Sequence, residues 1–238
     1  MKLCETLSIL IVLLLYMVVS LLFFLSIAKA DYYNSYEKLS ENEELNEDYI
    51  IIFENRRSNI TIFAIHGGGI EPGTSEPAKD LADELNLSYY LFEGIKSSNN
   101  QLLHITSVNF DEPIGRSLAK NSKSALSIHG NKGDEPVIYL GGRDEIYKNM
   151  LRYSLQTRGF QVEDAPAEID GMSKANIVND TKLKAGAQLE LTEELRKSFF
   201  ENHDWSKKNR VHTTVIYAEF MKGLKEATHS YKLFLKKR

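Results

Sequence analysis

Residues 60–69 read ITIFAIHGGG: a nearly unbroken apolar run, Ile60-Thr61-Ile62-Phe63-Ala64-Ile65, that empties into His66 and three consecutive glycines. Six residues rich in β-branched and aromatic side chains, with no polar face, describe a strand buried on both sides, the kind found inside a parallel sheet. A helix starts just beyond it. Ser75 can cap, Pro77 suits the first turn, and Ala78, Leu81, Ala82 and Leu85 recur at helical spacing. Strand, Gly-rich loop and helix form the first unit of an α/β fold, in which loops at strand ends are the expected site.

The same alternation continues outward. Asp31 to Asp48 is a polar, irregular lead-in, Tyr49 to Phe53 a short strand, and 56–59 a turn. Strand signals recur at 88–92, 102–106, 125–129, 137–140 and 186–191, and helical ones at 144–158 and near 211–226. The pattern predicts an α/β fold with a mixed, mostly parallel sheet flanked by helices. With 238 residues, 42% of them hydrophobic, and no repeat, residues 31–238 read as a single catalytic domain.

Residues 1–30 stand apart. Leu7 to Ile27 is uncharged and apolar, and Ala28-Lys29-Ala30 follows with the small residues a signal peptidase accepts. The segment reads either as a cleaved signal peptide, with the mature chain starting at Asp31, or as a membrane anchor through residues 7–27. Both readings place the domain outside the cytoplasm, secreted or membrane-anchored. The single cysteine, Cys4, precedes the run, so the domain has no disulfide, no thiolate nucleophile and no cysteine metal ligand. Leaving out residues 1–30 moves the formal charge from −4 to −5, which argues against a nucleic-acid partner.

HGGG after a strand also serves as an oxyanion hole in lipase-like hydrolases, but that chemistry needs a G-x-S-x-G nucleophile elbow, and the sequence has none. A metal fits better. His66 and Glu71 share one loop, and a second histidine, His129, closes the strand Leu126-Ser127-Ile128-His129-Gly130. Two His and one Glu are a ligand set of catalytic zinc, with a fourth position left for water. Gly67, Gly68 and Gly69 would let the backbone turn Glu71 back beside His66. The plainer alternative is two hydrogen-bonded strand-end histidines and a solvated Glu71; Glu76 competes as ligand, although its place in the first helical turn suits a dipole role.

Hydrolysis also needs a base, and Glu190 stands between two leucines in Gln188-Leu189-Glu190-Leu191. The competing reading puts Gln188 and Glu190 together on a solvent face. His104, inside the apolar stretch 102–106, reads as a packed core histidine. Asp111 and Glu112 could orient a ligand histidine. His203, His212 and His229 receive no role.

Taken together, IHGGGIEPGTSEPAKDLADEL, YYLFEGIKSSNNQLLHITSVNFDEP, ALSIHGNKGDEPVIYLGGRD, GMSKANIVND and GAQLELTEELR resemble, in order, the phage-type poly-γ-glutamate hydrolase family. The likeness runs from about Asp31 to Phe200 and fades beyond Trp205. It implies a zinc peptidase with a carboxypeptidase-like α/β fold that cuts γ-glutamyl amide bonds of poly-γ-glutamate. Carried over by position, it implies His66, Glu71 and His129 as metal ligands and Glu190 as the catalytic base. Two positions depart from the family pattern: Asp180 where a basic residue is expected, and Arg143 after Gly141-Gly142 where an apolar one is usual.

Arg143 is the first choice for gripping a substrate α-carboxylate, ahead of Lys132, Arg116 and Lys96. A basic groove beside His66 suits a polyanion; its absence suits another γ-glutamyl or N-acyl-glutamate amide. The competing class is a non-catalytic exported module that binds polyanion without cutting it.

Overall fold

In the computed structural model, residues 31–237 are described, and the leader expected at residues 1–30 lies outside them. In chain order the elements are α1 (Tyr36–Ser40), β1 (Tyr49–Glu54), β2 (Ile60–Gly68), α2 (Ser75–Leu85), β3 (Ser88–Gly94), α3 (Pro113–Asn121), β4 (Ser124–Gly130), β5 (Val137–Gly142), α4 (Glu145–Gln156), β6 (Gln161–Asp164), β7 (Ala187–Leu191), α5 (Glu193–Ser198) and α6 (Val215–Lys236). Short 3-10 turns fall at Asn100–Leu103, Ile177–Asn179 and Glu201–His203.

The seven strands form one sheet in the order β1-β3-β2-β4-β7-β5-β6. β1 on β3 and β5 on β7 are antiparallel, and the other neighbours are parallel, so the sheet is mixed and mostly parallel as the pattern predicts. All nine residues of β2 are buried. Its side chains alternate: Ile60, Ile62 and Ala64 join the core on one face, with α2, α4 and α6, while Phe63 and Ile65 join the other, with Leu39, Leu103, Phe110 and Leu118. Each large apolar side chain removed from water contributes roughly 1.5–3 kcal/mol, and this two-sided burial explains why β2 has no polar face.

Three sequence expectations change. The apolar residues at 102–106 form no strand: Asn99 adopts a left-handed φ of 61°, and the side chain of Asn100 bonds both to Lys96 N and to Lys96 O, which winds the segment into a turn. Glu112 is not a partner of any ligand histidine, because its carboxylate caps α3 by accepting from Gly115 N at 2.7 Å. Asp111 likewise accepts from Tyr36 N. Among the described residues no helix is long and apolar enough to cross a membrane.

Candidate active site

β2, β4 and β7 lie side by side and parallel, so their carboxyl ends open on one edge of the sheet. That edge collects His66 from β2, His129 from β4 and Glu190 from β7, with His129 and Glu190 in direct register. His66 needs a further device. Between Ala64 and Gly67 the register of β2 on β3 shifts, so β2 carries one residue more than its partner there. A bulge of this kind re-aims a side chain, and His66 turns its Nε2 to the carbonyl oxygen of Ile105 at 2.8 Å.

The glycines do what their sequence suggests. Gly68 has a φ of 65°, and a Cβ there would stand 2.5 Å from Gly94 O, so only glycine fits. The chain then folds back, Glu71 N donating to His66 O at 2.9 Å, which returns the Glu71 carboxylate to the histidine. Its Oε1 lies 3.2 Å from His66 Nδ1, and its Oε2 lies 3.7 Å from His129 Nδ1 and accepts from Gly130 N at 2.7 Å. The two Nδ1 atoms are themselves 3.1 Å apart.

The hydrogen positions follow from the outer contacts. A carbonyl oxygen can only accept, so His66 Nε2 carries the hydrogen and Nδ1 presents a lone pair. The Ser127 hydroxyl, 2.7 Å from His129 Nε2, can accept the equivalent hydrogen. Two lone pairs and a carboxylate then converge on one point, an arrangement that calls for a cation.

His104 is half-buried beside them: its ring lies against that of His66, centroids 3.9 Å apart at 33°, with Nε2 3.8 Å from Glu71 Oε1. His66, Glu71 and His104 offer ligand atoms within 4.8 Å of one another. His129 Nδ1 lies 3.1 Å from His66 Nδ1 and 3.7 Å from Glu71 Oε2, so His104 and His129 both stand beside the His66–Glu71 pair.

Glu190 and Gln188 are both buried, 7% and 3% exposed, and share a face that looks into the cleft rather than to solvent. Gln188 Nε2 donates to Glu190 Oε1 at 2.8 Å, while Gln188 Oε1 accepts from Asn176 Nδ2 at 3.0 Å. Burial, and then the neighbouring charge of Glu71, push the Glu190 carboxyl well above the usual range. Burial opposes the charge on Glu71 too, yet where they carry positive charge His66 and His129 hold it well below that range. Environments that drive two carboxyls apart in this way assign them different tasks.

The cleft between these groups and the 167–173 loop encloses about 350 Å³. Amides and hydroxyls of Asn131, Asn176, Ser107 and Thr106 line it together with Glu168 and Asp170, and none of its lining residues is Lys or Arg. Arg143 is not among them. β5 runs antiparallel to β7 and pairs Gly142 with Ala187, so Arg143 follows at the opposite edge, about 10 Å of strand from Glu190. The other cations proposed from sequence are committed or outside: Lys96 pairs with Glu43 at 2.6 Å, Arg116 gives its Nε to Phe110 O at 2.6 Å, and Lys132 is exposed on the residue after Asn131.

Over residues 33–222 the chain matches the family model of poly-gamma-glutamate hydrolase. It is similar to UPF0714 protein YmaC of Bacillus subtilis (strain 168), 36% identical over 206 residues that make up 84% of this chain and 86% of YmaC. UPF0714 protein YndL of the same organism is 39% identical over 179 residues, 74% of this chain and 69% of YndL. Among solved structures, a bacteriophage poly-gamma-glutamate hydrolase superposes with a TM-score of 0.83 at 33% identity, covering 85% of this chain and 98% of that one. YndL in a zinc-free form superposes with a TM-score of 0.76 at 33% identity, covering 84% and 98%.

Proposed function

This chain belongs to the poly-gamma-glutamate hydrolase family, and on that premise we propose that it is a zinc-dependent hydrolase of γ-glutamyl amide bonds with poly-γ-glutamate as its substrate. The observation that carries the proposal is the convergence of His66, His129 and Glu71: the two Nδ1 atoms are 3.1 Å apart, Glu71 Oε1 is 3.2 Å from the first and Oε2 3.7 Å from the second, with Glu190 in register beside them. Ligand atoms about 2.0–2.1 Å from a tetrahedral zinc lie about 3.4 Å from one another, so the three residues fit that ion without moving far.

Zinc held there would polarise the scissile carbonyl and make a water acidic enough to attack at neutral pH. Glu190 is the base: it takes a proton from the attacking water and returns it to the leaving amide nitrogen as the C–N bond breaks. A carboxyl whose proton affinity is already raised suits both halves of that exchange. Gln188, locked by Asn176, fixes one Glu190 oxygen and thereby the direction of the other. His66 keeps its hydrogen on Nε2, and the Ser127 hydroxyl can accept one from His129 Nε2, which leaves both Nδ1 atoms free to face the ion.

A second reading rests on one observation: the cleft is lined by Glu168 and Asp170 and by no Lys or Arg. That lining suits a short γ-glutamyl or N-acyl-glutamate amide better than a long polyanion. The export of a catalytic domain spanning 31–238 is proposed from the sequence of residues 7–27 alone. Incubating the protein with poly-γ-glutamate and following chain length by gel filtration separates the readings. Shortening supports the polymer as substrate, turnover of γ-glutamyl dipeptides alone supports the shorter one, and binding without any cleavage supports a non-catalytic module.

A further inference from the structure

Resting on the metal reading above, we infer that Arg196 is a positioning residue that holds the three strand-end segments carrying Glu71, His129 and Glu190 in one arrangement, and so sets the affinity of the site for its metal. Arg196 lies in α5, just past the end of β7, and is 3% exposed. Its guanidinium donates three ways: Nε to Leu191 O at 3.0 Å, Nη1 to Pro72 O at 2.7 Å and Nη2 to Asn131 O at 3.2 Å. Leu191 follows Glu190, Pro72 follows Glu71, and Asn131 lies two residues past His129. One side chain therefore bonds to each of the three strand-end segments that supply the site, a task that needs the planar fork of guanidinium and that a single ammonium cannot perform.

The surroundings are shaped to it. A Cβ on Gly130, the residue after His129, would stand 2.5 Å from Arg196 Cζ, so the backbone there approaches the guanidinium as closely as only glycine allows. Gly73, two residues after Glu71, has a φ of 89°, and a Cβ there would stand 3.2 Å from the Arg196 Cβ. From outside, the Trp205 ring covers the guanidinium with 5.0 Å between Cζ and the ring centroid. A buried cation is costly unless its donors are satisfied, and here they are spent on backbone oxygens, which are the atoms that set where each loop lies.

The test is zinc affinity, read by competition with a chelator and independent of any substrate. Arg196→Met keeps the apolar stem and removes every donor; Arg196→Lys keeps the charge but not the fork. Leu224→Ala, a cavity in the helix-side core, serves as a control whose fold is weakened away from the site. Both Arg196 variants are expected to bind zinc about 10- to 100-fold more weakly than native, while the control keeps native affinity. Arg196 variants that match the control, or an Arg196→Lys that matches native, overturn the inference while leaving the metal site standing. A native protein that binds no zinc overturns the metal reading, and this one with it.

Discussion

His66 Nδ1 and His129 Nδ1 face each other at 3.1 Å, and the Ile105 carbonyl, by claiming the hydrogen on His66 Nε2, leaves one of them with a bare lone pair. Add the Glu71 carboxylate at 3.2 Å and the contact is repulsive unless a cation or a proton sits within it.

Replacing His66, Glu71 or His129 by alanine should abolish stoichiometric zinc binding. It should also remove the upward shift in Tm that zinc gives the native protein, a stabilisation of about 2.7 kcal/mol at a hundredfold excess of metal over Kd. Metal analysis after dialysis and a thermal melt with and without zinc check both. A variant that retains one zinc per chain would take that residue out of the ligand set.

Gln188→Leu removes the amide that fixes Glu190 Oε1 and leaves every metal contact in place. A base aimed loosely slows chemistry more than binding, so kcat should fall about 10- to 100-fold with KM within about twofold. Steady-state kinetics on a γ-glutamyl substrate decides it, and a change confined to KM would move Gln188 to substrate binding.

Arg143→Ala should leave kcat/KM within about twofold of native, because Arg143 lies at the far edge of the sheet from Glu190. A loss of tenfold or more would mean that the substrate reaches that edge.

Glu76 gives a pH signature away from the metal. Its Oε1 pairs with Arg210 Nε at 2.9 Å, but its Oε2 is buried without a hydrogen-bond partner. Burial raises its pKa from 4.5, Glu93 and Asp80 add to the rise, and Arg210 offsets only part of it. The folded state therefore holds this proton more tightly than the unfolded one. Its contribution to stability is fully present below 4.5 and is lost as pH rises through the raised value. Glu76→Gln should gain on native in melts run from about pH 4 to about pH 8. A difference constant with pH would contradict this.

Much of the frame can be read from the chain, because burial on both faces leaves a strong mark. β2 follows from its apolar run and α2 from Ser75-Glu76-Pro77, although Thr74 takes the cap position expected of Ser75, whose hydroxyl accepts from Gly68 N instead. The strand ends at His129 and Glu190 are equally plain. What periodicity does not encode is strand direction: Arg143 reads as a site residue for its guanidinium alone, whereas β5 runs antiparallel to β7 and carries it to the other end of that strand from Glu190. Nor does it encode a bulge, so His66 reads as the end of a strand that in fact runs on to Gly68. His104 is obscured by apolar neighbours that belong to a turn, and Arg196 by being one of 29 basic residues, with nothing local to mark the two carbonyls, Pro72 O and Asn131 O, brought to it from distant segments.

Glu190→Gln, assayed for bound zinc and for cleavage of poly-γ-glutamate, separates a base from a metal ligand in one sample. The substitution keeps the shape of the side chain and removes its ability to take a proton. The variant is expected to bind one zinc per chain, the same as expected of the native protein, and to cleave about 100- to 10,000-fold more slowly. Cleavage close to the native rate would remove Glu190 as the base, and a sample that has lost its zinc would mean that Glu190 belongs to the ligand set.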